Sequence, residues 1–126
     1  MQTLPLSQAI AITPRGPGSW TAEVSPDWAQ GRAVFGGVVS GLGLAALDRL
    51  RPADRPVRLV VVEFLAPLTP GPVHIDGVVL RSGRSLTHAR ITLTQGEQPA
   101  AIILASCGRP RPSRIAVPPA TDAPRP

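Results

Sequence analysis

Residues 37–50 read Gly-Val-Val-Ser-Gly-Leu-Gly-Leu-Ala-Ala-Leu-Asp-Arg-Leu, apolar on nearly every side until Asp48 and Arg49. A helix of that composition is unstable in water and has to be covered by other elements. The apolar stretch from Ala33 to Leu47 falls short of the ~20 residues needed to cross a bilayer, so the segment predicts a core helix and no membrane span. Gly41 and Gly43 each cost about 1 kcal/mol relative to Ala inside a helix, a penalty that makes sense where a sheet packs closely on the backbone. Pro52 and Pro56 close the segment.

The flanking sequence predicts the sheet. Trp20, Ala22 and Val24 alternate with Thr21, Glu23 and Ser25 as a half-buried strand does, and Pro26 ends it. Asp27 to Arg32 reads as a connecting loop. Arg58–Leu65 is rich in Val and Leu between Pro56 and Pro67, and Val73–Leu80 follows the Pro70-Gly71-Pro72 turn, with Gly77 read as a bulge. After Ser82-Gly83-Arg84, the residues Ala89, Ile91 and Leu93 alternate with His88, Arg90 and Thr92, the clearest period-two pattern in the chain. Gln95–Gln98 is a hairpin turn, and Ala100–Ser106 reads as a final buried strand. The order β-α-β-β-β-β with short turns predicts an α+β domain over residues 18–108, preceded by an N-terminal segment at 1–17. Residues 109–126, with Arg109, Arg111, Arg114 and many prolines, read as a disordered or polyproline tail. A sheet covering one helix leaves an edge strand open, which predicts a homodimer or a dimer of dimers.

The net charge of +5 is concentrated in the tail, which supplies +3 and leaves +2 for residues 1–108. Tyr is absent and Trp and Phe number two each, so platforms for stacking bases are few, and a nucleic-acid partner is not expected. Every basic residue is Arg, a bias for which the sequence offers no functional account. Cys107 is the only cysteine, which excludes an intrachain disulfide and a thiol-based zinc site. Met1 to Ile12 has no basic n-region, so the chain is expected to be cytoplasmic. His74 and His88 lack the spacing of a metal pair, and neither a metal nor a cofactor is expected.

Three stretches in order, Gly31-Arg32-Ala33-Val34-Phe35-Gly36-Gly37, Glu63-Phe64-Leu65-Ala66-Pro67 and Leu80-Arg81-Ser82-Gly83-Arg84-Ser85, resemble the acyl-CoA thioesterase II family over about residues 20–107. The likeness is to the first of the two repeats that many members carry in tandem. It implies a hotdog fold, an antiparallel sheet wrapped around one central apolar helix. It also implies hydrolysis of the thioester of acyl-CoA in a cleft between two such units, which two copies of this chain would have to supply.

Thioester hydrolysis needs a polarised carbonyl and an activated water. Gly36 and Gly37 permit close approach to the free amides of a helix N-terminus, which can hold an oxyanion, although the same glycines also simply ease the chain into the helix. Phe35 beside them is expected to touch substrate. The first two helical turns carry no acid, only Ser40, with Leu42 and Leu44 where related hotdog enzymes often place an Asp or Glu. The remaining carboxylates for water activation are Glu63 and Asp27, assisted by Ser85 or Thr87; Asp48 reads as a solvated helix end. The family's set of Asp, hydroxyl and Gln is not reproduced: Leu59 falls near the Asp and Cys107-Gly108 near the Gln. Arg81 and Arg84 flank a turn and are expected to meet the phosphates of CoA. The alternatives are a non-catalytic hotdog that binds acyl-CoA or a partner, or a hydrolase of carrier-protein thioesters.

Overall fold

The proline stops and the alternating pattern return as element boundaries in the computed structural model, which describes residues 3–120. The elements are α1 (Leu6–Ala9), β1 (Thr13–Gly16), β2 (Ser19–Val24), a 3-10 turn (Pro26–Trp28), β3 (Ala29–Gln30), β4 (Ala33–Val34), α2 (Gly36–Leu50), β5 (Val57–Phe64), β6 (Gly71–Ser82), β7 (Leu86–Gln95) and β8 (Gln98–Gly108). Six strands form one antiparallel sheet in the order β1-β2-β6-β7-β8-β5, and β3 and β4 form a separate ribbon. The helix α2 lies on β6, β7 and β8. It ends at Arg51 because the residue before Pro52 is pushed to extended backbone. The domain is therefore a hotdog. Among the described residues no helix is long and apolar enough to cross a membrane.

Burial follows strand parity. Val73 and Ile75 of β6, Ala89, Ile91 and Leu93 of β7, and Ala101, Ile103 and Ala105 of β8 face α2. On α2 they meet Val38, Val39, Leu42, Ala46 and Leu47, while Leu44 lies exposed on the opposite side. Gly43 explains itself here. An added Cβ would sit 1.8 Å from the Cδ1 of Ile103, itself fully buried. Overpacking a filled core costs about 1–3 kcal/mol, more than the ~1 kcal/mol of helix propensity that Ala would restore. Gly43→Ala is expected to lower the unfolding free energy by about 1–2 kcal/mol in a urea titration; a stabilised variant would show that the helix and sheet are looser than drawn.

Several expectations need correcting. Residues 1–17 are not merely a leading segment: β1 pairs with β2 through a turn at Gly18 (φ 68°), and Ile10 packs against Gly41. Pro14 is tolerated because β1 is an edge. Asp27–Arg32 is not a plain loop but the 3-10 turn followed by β3 and a turn at Gly31 (φ 70°) into β4. Gly77 makes no bulge; the space above it is taken by Ile91, Leu50 and Trp20, and the register breaks at Val79/Arg81 instead. The final strand is buried on one face only, since Leu104 is 46% exposed. Residues 109–120 are extended and exposed, tied at their start by the Arg109 amide to the Ser85 carbonyl (3.0 Å) and by Arg109 to Asp54. Residues 121–126 of the expected tail lie outside the described residues.

Candidate active site

The segment after β5 folds back over the start of α2. Leu65 and Ala66 both donate to the Ala100 carbonyl (2.9 and 3.2 Å), and Val34 donates to Leu68 (2.8 Å). These bonds hold the Phe64-Leu65-Ala66-Pro67 motif across the helix entrance and enclose a pocket of about 400 Å³ lined by Val34, Gly36, Val39, Phe64, Leu65 and Pro67. Its walls are apolar, and none of its lining side chains titrates.

Gly36 lines the pocket, and Gly37 follows it in the first turn of α2. The first intrahelical bond is from the Val38 amide to the Phe35 carbonyl (2.9 Å), so the Gly36 and Gly37 amides precede the helical ladder. The Ser40 hydroxyl donates back to Gly36 O (2.9 Å) and fixes the first turn. A Cβ on Gly36 would meet the Phe64 ring at 3.2 Å, and one on Gly37 would strike the Phe35 ring at 2.3 Å. Phe35 stacks on Trp28 with centroids 6.4 Å apart, and its amide donates to the Trp28 carbonyl (2.9 Å). Trp28 in turn donates to Leu4 O (2.9 Å). A chain of contacts from the N-terminal segment thus sets where the helix begins.

The four candidates for water activation separate. Asp27 lines a hollow of about 300 Å³ on the other side of Phe35, with one carboxylate oxygen taking the Leu4 amide (3.1 Å). Glu63 is exposed on β5, on the face opposite Phe64, so within one protomer it does not join Gly36. Ser85 lies at the far end of the sheet with Arg81, Arg84 and His88 around a hollow of about 240 Å³. Thr87 is fully buried and committed elsewhere: its hydroxyl accepts from Arg55 Nη1 (2.7 Å) and shares a bond with Ser82 (3.0 Å).

Arg55 is the residue that sequence reading missed. It is 7% exposed, and its guanidinium also donates to Ser82 Oγ (3.2 Å), Leu86 O (2.9 Å) and Arg84 O (3.2 Å). One fork therefore holds the whole Ser82–Thr87 turn and so sets the stance of Arg81, Arg84 and Ser85. An arginine beside Pro56 gave no local sign of this. Cys107 is fully buried, and burial pushes its thiol up, with Arg51 opposing more weakly, which leaves it protonated and unsuited to nucleophilic work.

Comparison with known proteins agrees with the fold. No curated protein matches the chain. A hot dog fold protein from Alicyclobacillus acidocaldarius superposes with a TM-score of 0.81 at 23% identity, covering 96% of this chain and 46% of that one. An acyl-CoA thioesterase II from Mycobacterium marinum gives 0.78 at 18%, covering 97% and 45%. The chain thus spans about half the length of these relatives. A variant of the phenylacetic acid degradation protein PaaI from Thermus thermophilus gives 0.66 at 18%, covering 79% of this chain and 91% of its own. Residues 24–108 match the family model described as the acyl-CoA thioesterase N-terminal domain, and with that match over most of its length the chain belongs to this family.

Proposed function

We propose that the protein hydrolyses acyl-CoA thioesters at two sites, each completed by a second copy of the chain, and that it does so in the cytoplasm, where its one cysteine stays a thiol. One observation carries this reading. The pocket at Gly36 lies at the Phe64 end of β5, the basic hollow of Arg81, Arg84 and Ser85 lies towards the Val57 end, and β5 is one of the two edges of the sheet. The two are separated along β5 by its eight residues, about 26 Å at ~3.3 Å per residue. Antiparallel pairing of β5 with its copy reverses one strand against the other. Each Gly36 pocket then approaches the second copy's basic hollow, three strand spacings or about 14 Å across the sheet.

In this arrangement the acyl chain occupies the apolar pocket and the thioester carbonyl meets the amides of Gly36 and Gly37, whose partial positive charge stabilises the oxyanion. The Phe64 and Phe35 rings stand over Gly36 and Gly37 and flank the carbonyl. The second copy's Arg81 and Arg84 take the phosphates of CoA, and its Ser85 hydroxyl is the polar group at the mouth of that hollow. Asp27, which lines the hollow on the far side of Phe35, is assigned the water. Glu63 on the outer face and Thr87 under Arg55 are left without a step.

A thiol-release assay with acyl-CoA of several chain lengths tests the reading. Gly36→Val is expected to lower kcat/KM about 100-fold or more, since it bars the carbonyl from a donor of the kind worth 10²–10³. Asp27→Asn is expected to lower kcat at unchanged KM. The apolar lining of the pocket favours one rival, a module that binds acyl-CoA without hydrolysing it. Binding without thiol release at any chain length would establish that rival.

A further inference from the structure

The face of the sheet turned away from α2 carries exposed Leu and Val side chains among its polar ones. Three cross-strand rows define it by register: Arg81-His88-Ser106-Leu59, Val78-Arg90-Leu104-Val61, and Asp76-Thr92-Ile102-Glu63. Leu59 is 57% exposed, and Val61, Leu80, Leu104 and Val78 are also exposed. The register break at Val79/Arg81 adds Leu80 to the strand, so that it stands as a wall beside the rows rather than in them. Between Leu80 and β5 lies a hollow of about 390 Å³ with Leu59, Val61, Leu80 and Leu104 on its sides and His88 and Ser106 at one end. That size and lining, apolar walls with a few convergent polar groups, fit a small amphipathic ligand.

No acid lines the hollow, and the charged residues that flank it by register are basic. His88 Nδ1 and Ser106 Oγ are 3.0 Å apart, an arrangement that directs the ring's other nitrogen elsewhere. Arg81 stands opposite His88 and Arg90 stands between Val78 and Leu104. The acids Asp76 and Glu63 are in the row farthest from His88, beyond the Val78-Arg90-Leu104-Val61 row. We infer that this outer hollow binds the anion of a fatty acid, with the alkyl chain along Leu59, Val61, Leu80 and Leu104 and the carboxylate among His88, Ser106 and the two arginines. The site lies on the face opposite the Gly36 pocket and borders the arginine hollow, which Arg81 and His88 also line, but it needs no hydrolysis there.

Dodecanoate titrated into the full chain, followed by NMR of the His88 ring and the Leu104 and Val61 methyls, tests it. Those signals are expected to move together with one dissociation constant. Dodecanol, which lacks the charge, is expected to bind at least about fivefold more weakly, the worth of an ion pair of ~1 kcal/mol, and acetate not at all. Leu104→Glu, at an exposed position, is expected to weaken dodecanoate at least tenfold, and Arg90→Gln about fivefold. Shifts confined to Val34 and Val39 would place the ligand at Gly36 instead and overturn the inference, as would equal binding of dodecanol. It also fails if Leu104→Glu lowers the sedimentation coefficient while dodecanoate leaves His88 unmoved, because the face would then be covered by a second copy. The assay for thioester hydrolysis is independent of all these outcomes.

Discussion

Arg55→Met is expected to lower the unfolding free energy by about 2–4 kcal/mol, a large share of what holds a domain of this size together. The methionine fills much of the volume but offers no donor to Thr87, Ser82, Leu86 O and Arg84 O, of which Thr87 is buried. Bonds from a charged donor contribute about 1.5–3 kcal/mol each in favourable cases, and desolvating the guanidinium offsets part of their sum. That offset is visible: Arg55 Nε is buried without a partner, and Asp54 stands 3.9 Å away, half exposed and also held by Arg109. Arg55→Lys should not rescue, because a point charge with three donors cannot reach acceptors arranged around a planar fork. Adding Thr87→Val to Arg55→Met should recover part of the loss, since the stranded hydroxyl is then gone. Chemical denaturation of the four proteins reads this directly. A neutral Arg55→Met would mean that desolvation cancels the bonds.

The same residue shows what could be read from sequence and what could not. The helix over 37–50 was legible because a run apolar on nearly every side has to be covered, and the alternation through Ala89, Ile91 and Leu93 because periodicity is a local property. Arg55 carries no periodic signal; its burial follows from a turn about 30 residues further on closing over it. Glu63 could not be placed for a different reason. In β5 both faces are apolar, with Val60 and Val62 towards the core and Leu59 and Val61 away from it, so the parity of the strand was undefined and the side on which Glu63 falls was not readable. The strand β1 hid behind Pro14, Gly16 and Gly18, residues that read as a loop but here make an edge strand and its turn. Of the proposed site, the Gly36-Gly37 entrance and the arginine turn were singled out through their motifs. That they lie towards opposite ends of the sheet is a property of the topology alone.

That topology makes a quantitative expectation. If each site joins the Gly36 pocket of one copy to the arginine hollow of another, then Gly36→Val and Arg84→Glu both give protein of strongly reduced turnover, each spoiling both sites of its own dimer. Mixing the two variants in equal amounts, with unfolding and refolding to exchange subunits, yields mixed dimers for half the population when pairing is random. In a mixed dimer one site takes both defects and the other takes neither, because the Arg84→Glu copy keeps its Gly36 and the Gly36→Val copy keeps its Arg84. Half of the dimers then hold one intact site of two, and about a quarter of wild-type activity returns. Sites contained within single chains predict no recovery at all, whatever the mixing ratio. The recovered fraction should follow the product of the two variants' proportions and peak at equal amounts. It should also show the wild-type KM, because the intact sites are complete, whereas partial repair of a damaged site would raise activity at an altered KM.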